Sequence, residues 1–248
     1  MGYNLNIMSA SPKKVLFIHH STGANLIRQG HIRALLKEQA PDIAFWDHSY
    51  NLYPHFPRVL SYLTYHYGLK DDRGKRLFYD YDIVLSNNSP KEYQEIFSRD
   101  PADLTLSEIL SYDLVATKNC FPTSGITSEK ELEEKKMFYR LIRDDMRRYK
   151  DTQFIIFTPP PLRRETTTPA SAHRAHKLAT FMSAPTFVKH TPNVAAFDFF
   201  DLLSDSTGGN SHMLKRAYCP LLPIDSHPNG RANREIAPQF VKLLISLV

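Results

Sequence analysis

Three side chains in this 248-residue chain could together carry out nucleophilic chemistry: the hydroxyl of Ser21, the imidazole of His227 and the carboxylate of Asp225. A serine hydroxyl is a weak nucleophile until a base within hydrogen-bond reach takes its proton, and the base needs a third group to orient it. Asp225 and His227 stand two apart in Ile224-Asp225-Ser226-His227-Pro228. Residues i and i+2 of an extended segment face the same side, and a following proline biases His227 towards that conformation. Carboxylate and imidazole can therefore address one cavity. Ser21 lies in Val15–Gly23, VLFIHHSTG, where four apolar residues run through a polar turn into an apolar pattern of helical spacing. At such a helix N-terminus the N–H groups and the dipole favour negative charge, which an attacking serine and its tetrahedral intermediate must develop. Ser21 or Thr22 would be equally at home there as a plain N-cap, and a D-x-H pair alone is an ordinary loop sequence.

The surrounding elements read as alternating strands and helices. Strands are expected at about 14–18, 43–46, 81–85, 113–117, 154–157 and 194–197, each a short apolar run closed by polar or Pro-rich residues. Helices are expected at about 23–39, 91–98, 104–111, 128–150, 171–188 and 230–248. On the fourth of these, Leu132, Met137, Leu141, Ile142 and Met146 are expected inward, and Pro238 is expected to kink the last helix or mark its start. Strand–helix–strand alternation predicts an α/β/α sandwich with a mainly parallel sheet, flavodoxin-like in layout. Without repeats or low-complexity linkers, residues 1–248 read as one domain with an aromatic-rich insertion at about 47–81. Tyr50, Tyr53, Tyr62, Tyr65, Tyr67, Tyr79 and Tyr81 fall there, with His48, His55 and His66 among them. Such a segment is either an aromatic-packed helix or a pocket wall, where tyrosine offers an apolar face and a hydroxyl.

Composition narrows the function classes. Hydrophobic residues make up 42% and charged residues 23%, as in an ordinary soluble globular protein. No apolar run reaches the ~20 residues of a membrane span, and the opening MGYNLNIMSASPKK lacks a signal-peptide core, so a cytoplasmic location is expected. Two cysteines, Cys120 and Cys219, do not make a disulfide framework. The net charge of +5 is spread along the chain, and its densest run, 146–150, reads as a solvated helix face, so no nucleic-acid partner is expected. His19, His20, Asp225 and His227 could in principle bind a metal, but no recognised ligand spacing is present. No Gly-rich phosphate loop occurs. Neither metal nor cofactor is expected, and Cys120 reads as a small buried apolar residue rather than a nucleophile.

Ser21 after the first strand, Asn119 after a central strand and an Asp-His pair before the last helix form an ordering that resembles the SGNH, or GDSL-type, hydrolases. The resemblance spans about 15–245 and is specific around 15–23, 113–125 and 224–236. It implies Ser21 as nucleophile, His227 as base and Asp225 as its orienter. It also implies an oxyanion hole made by the Asn119 side chain and the Ser21 backbone N–H, with Asn87 or Asn88 as competitors of Asn119. The family's Gly-Asp before the serine is His19-His20 here, and only Ser226 separates Asp225 from His227, a spacing similar to some polysaccharide O-acetyltransferases of the superfamily. The block after the second strand, Asp47-His48-Ser49-Tyr50-Asn51, lacks the family's oxyanion Gly. His20, Tyr50 and Asn51 are the candidate substrate contacts. The resemblance implies cleavage of an ester, small or carbohydrate-borne, or acyl transfer with the same triad. The rival expectation is a catalytically silent domain of this shape that binds a saccharide or a protein.

Overall fold

The computed structural model describes residues 11–49, 68–77, 80–81, 83 and 89–248. The described chain runs β1 (Lys13–His19), α1 (Ser21–Gln29), α2 (Ile32–Gln39), β2 (Ile43–His48), β3 (Leu69–Lys70), α3 (Lys91–Phe97), α4 (Leu104–Ile109), β4 (Leu114–Lys118), α5 (Glu129–Met146), β5 (Gln153–Phe157), α6 (Pro169–Ser183), α7 (Pro185–Val188), β6 (Val194–Phe197), α8 (Phe199–Leu203) and α9 (Gly230–Ile245). The strands form one sheet in the order β3-β2-β1-β4-β5-β6. All neighbours are parallel except the short edge strand β3, which runs antiparallel to β2. The chain passes from β1 to one side for β2 and returns to β1's other side for β4. Open α/β sheets place their ligand crevice at such a reversal, outside the carboxyl ends of the strands.

Both faces of the sheet are covered, which is why its strands read as continuous apolar runs. Val15 and Phe17 of β1, Ala116 of β4 and Ile155 and Phe157 of β5 pack against Leu26, Leu36, Phe199, Ile236, Phe240 and Leu244, from α1, α2, α8 and α9. Leu16, Ile18, Val115, Phe154 and Ile156 face the other way, onto α3, α4, α5 and α6 through Ile96, Leu106, Tyr139 and Leu178. The strict alternation of faces follows from the two-residue period of a strand.

The structure refines several sequence expectations. The helix expected at 23–39 is two helices, because Gly30 and His31 turn the chain, His31 in the left-handed region at φ 56°. Gly30 is pressed against α9, where an added Cβ would lie 2.5 Å from the Ala237 Cβ. On α5 the buried side chains are Leu132, Lys135, Tyr139, Ile142 and Met146, a regular three-four spacing, while Met137 and Leu141 are exposed. The last helix passes through Pro238 without starting there: Asn229 caps its start, Pro238 faces solvent, and Ile236, Ala237, Phe240 and Val241 hold the flanking turns in the core. Of the strand expected at 81–85, the described Tyr81 and Ile83 are buried and lie in no strand, and residues 82, 84 and 85 lie outside the described residues. The aromatic segment's residues 50–67 lie outside the described residues.

Candidate active site

The turn after β1 is built by packing. His20 is extended (φ −113°, ψ −166°), and its carbonyl accepts from the N–H groups of Gly23 (2.9 Å) and Ala24 (3.1 Å), so Ser21 opens α1 at its first position and is not its cap. His19 points away from Ser21: its Nδ1 lies 2.8 Å from the His20 carbonyl and its Nε2 3.1 Å from Asp47 Oδ2. The buried Asp47 also accepts from Arg33 Nη2 (2.5 Å) and Lys70 Nζ (3.2 Å). Burial raises the Asp47 pKa, but His19, Lys70 and Arg33 outweigh it and hold the carboxyl well below the usual range. The His19 ring in turn leaves no room at position 23, where a Cβ would sit 2.4 Å from the His19 Cβ and 2.6 Å from its Cγ. Only glycine lets the helix start this close to the strand.

The loop before α9 brings the other two groups. Asp225 Oδ1 accepts from the His227 backbone N–H (2.9 Å) and lies 2.5 Å from His227 Nδ1. With Nδ1–H donated to the carboxylate, Nε2 presents its lone pair, and it lies 2.7 Å from Ser21 Oγ. Ser226 between them turns into the interior, where its Oγ accepts from the Arg163 N–H (3.2 Å) and lies 2.9 Å from Thr166 Oγ1. Arg163 Nη1 donates to the carbonyls of Leu222, Pro220 (3.3 Å) and Asp225 (3.4 Å), bracing the loop from behind. The Phe121 ring stands edge-on to the His227 imidazole, centroids 4.9 Å apart. Burial lowers the His227 pKa, but Cys120 first and Asp225 next outweigh it, and the net shift is upward.

The end of β4 forms the third wall. Asn119 is 2% exposed; Tyr139 OH of α5 donates to its Oδ1 (2.9 Å), and its Nδ2 donates to the Ser89 carbonyl at 3.4 Å. The tyrosine fixes which end of the amide is the donor, and burial raises the Tyr139 pKa, so the hydroxyl stays protonated. Cys120 Sγ lies 3.4 Å from Ser21 Oγ and accepts from Thr22 Oγ1, also at 3.4 Å.

The structure thus brings together Ser21, His227 and Asp225, with Asn119 in the neighbouring strand end. His20 is 4% exposed, its Nδ1 3.4 Å from the Lys118 carbonyl and its ring edge-on to Tyr93. Tyr50, Asn51, Asn87 and Asn88 lie outside the described residues. Cys120, expected to be an apolar filler, is buried yet polar in its contacts. Lys118, Tyr139 and Arg163 escaped the sequence reading, and Thr22 was read only as a possible cap, since nothing in a strand-end lysine or a helix-face tyrosine announces a neighbour distant in sequence. A hydroxyl, an imidazole and a carboxylate in this order can deliver an alkoxide to a carbonyl carbon and return the proton to a leaving group.

No family model matches the chain, and no curated protein matches it. Among solved structures it is similar to a GDSL-like lipase from Bacteroides thetaiotaomicron, at 11% identity and a TM-score of 0.57, over 96% of this chain and 93% of that one. It is also similar to an acetyl-xylooligosaccharide esterase variant from Geobacillus, at 12% identity and a TM-score of 0.55, over 94% of each chain. The fold is that of the SGNH, or GDSL-type, hydrolases.

Proposed function

We propose that the chain is a serine hydrolase that cleaves an ester through an acyl-serine intermediate. The observation that carries this reading is the continuous hydrogen-bonded line from Ser21 Oγ to His227 Nε2 (2.7 Å) and from His227 Nδ1 to Asp225 Oδ1 (2.5 Å). In this reading His227 takes the Ser21 proton as the oxygen attacks the acyl carbon. Asp225 holds the tautomer and steadies the imidazolium that forms. The oxyanion is received by the Ser21 backbone N–H at the start of α1 and by Asn119 Nδ2, whose amide Tyr139 orients. The imidazolium then protonates the departing alcohol, and a water activated by the same base hydrolyses the acyl-serine. A hydroxyl acceptor in place of water would give acyl transfer with the same groups. A small or carbohydrate-borne ester is the substrate class we favour, with His20, Tyr50 and Asn51 as contacts. One structural neighbour is named for an acetylated xylo-oligosaccharide, and the 47–81 segment is rich in tyrosine.

The test is a double-mutant cycle. Ser21→Ala and His227→Ala should each abolish most kcat/KM on an aryl ester such as p-nitrophenyl acetate, and the double variant should be hardly worse than either. Additive losses in folded variants would show two independent residues and refute the reading.

A further inference from the structure

Directly behind Ser21 sits a pair of groups that the proposed hydrolysis does not use. Lys118, the last residue of β4, is 1% exposed. Its Nζ donates to Thr22 Oγ1 and to the Asn119 carbonyl (3.0 Å) and lies 5.0 Å from the centroid of the Phe199 ring. Among the described residues no carboxylate forms an ion pair with it. An ammonium taken out of water must either give up its proton or find an anion. The acidic group within reach is the Cys120 thiol. Thr22 Oγ1 accepts from Lys118 and donates to Cys120 Sγ at 3.4 Å, so one hydroxyl joins the two. On its other side Cys120 Sγ meets Ser21 Oγ at 3.4 Å. A sulfur that accepts from a hydroxyl itself held by a buried amine is placed to carry negative charge.

We propose that Lys118 and Cys120 form a buried ammonium–thiolate pair, bridged by the Thr22 hydroxyl, that positions Ser21 and His227. The pair forms by transfer of the thiol proton to the lysine amine: an S–H bond breaks, an N–H bond forms, the cluster's net charge is unchanged, and no co-reactant is needed. On the thiol the electrostatics run the same way, and on the lysine the thiolate opposes burial. Burial pushes the Cys120 thiol up, but His227, Lys118, Ser21 and Thr22 outweigh it and bring it to about 6. Burial draws the Lys118 ammonium down to about 8, with Cys120 pulling the other way.

Cys120 is on this account a positioning residue. The consequence for catalysis rests on the hydrolase reading; the pair itself does not. The thiolate places a second negative charge beside the imidazole, in addition to Asp225, and raises its basicity. The other titratable groups facing the cluster are His20 in the turn, whose Nδ1 lies 3.4 Å from the Lys118 carbonyl, Tyr93 of α3, which donates to that carbonyl at 3.1 Å, and Tyr139 of α5 on Asn119.

The experiment reads the thiolate directly, without turnover. The ultraviolet difference at 240 nm between wild type and Cys120→Ser, followed against pH, cancels the tyrosines and Cys219. It should titrate far below the ordinary thiol value of 9.0. In Lys118→Met, taken against Lys118→Met/Cys120→Ser, the midpoint should rise by more than one pH unit. If either lysine variant fails to fold, the 13Cβ shift of Cys120 in labelled wild type reports the same ionisation. In activity, Cys120→Ser should move the acid limb of kcat/KM to lower pH, since the base has lost an anionic neighbour. A wild-type midpoint at or above 9.0, or one unmoved by Lys118→Met, overturns the pair. A low thiol midpoint in a protein whose Ser21 is inert to fluorophosphonate would sink the hydrolase reading and leave the pair standing.

Discussion

Gly23→Ala is a one-methyl perturbation whose consequence can be worked from the turn itself. The new Cβ would lie 2.4 Å from the His19 Cβ, 2.6 Å from its Cγ and 2.9 Å from its Nδ1, whereas ordinary contact begins at 3.4 Å. The obstacle is not a flexible side-chain tip. His19 is pinned by the His20 carbonyl and by Asp47, which is itself held by Arg33 and Lys70. The start of α1 must therefore lift from β1 by about 1 Å, carrying Ser21 with it. The Ser21–His227 contact of 2.7 Å would then leave hydrogen-bond range, because His227 is fixed by an independent set of bonds to Asp225 and, through the braced loop, to Arg163. Overpacking of this kind costs roughly 1–3 kcal/mol of stability, and a 1 Å misplacement of a reacting group costs about a hundredfold in rate. The expected result is a folded protein with a lowered Tm, kcat on p-nitrophenyl acetate down by roughly two orders of magnitude, and KM little changed. Wild-type kcat in Gly23→Ala would show that the β1–α1 approach does not position the nucleophile.

Three further outcomes are expected. Asn119→Ala should lower kcat by a factor on the order of 100–1000 with little change in KM, as for the loss of one oxyanion donor; Tyr139→Phe, which only frees the amide, should cost about 1 kcal/mol, roughly fivefold. If neither variant changes kcat, Asn119 is not a donor. The acid limb of kcat/KM should have its midpoint above 6.5, because the His227 pKa is raised from that value and only the neutral imidazole can accept the Ser21 proton. Activity is then lost as pH falls through the raised pKa, and a limb at or below 6.5 would contradict the assignment of His227 as base.

What could be read in the residues and what could not divide along physical lines. Val15–Ile18 announces β1 because a strand buried on both faces is a continuous apolar run, and β6 at Val194–Phe197 falls where that rule puts it. The Asp225–His227 contact was legible because it is local: an i, i+2 carboxylate can bond both the backbone N–H and the ring. The break at Gly30–His31 was not, because the close neighbour that demands glycine there, Ala237 of α9, is some two hundred residues away. Tyr139, not Met137 or Leu141, lies on the buried face of α5, in the three-four row of Leu132, Lys135, Ile142 and Met146, and its hydroxyl meets a buried amide. Lys118 looked like the polar end of a strand. Its burial depends on Thr22, Asn119 and the Phe199 ring, which only the folded sheet assembles around it.

The central claim is that Ser21, activated by His227 and Asp225, is the nucleophile. Intact-mass analysis after brief exposure of the folded protein to a fluorophosphonate, followed by peptide mapping, tests it most directly, because only an activated serine displaces fluoride from phosphorus rapidly. The account predicts one adduct per chain, carried by Ser21, absent in Ser21→Ala and formed far more slowly in His227→Ala. An unlabelled wild-type protein, or an adduct on any other residue, would contradict it.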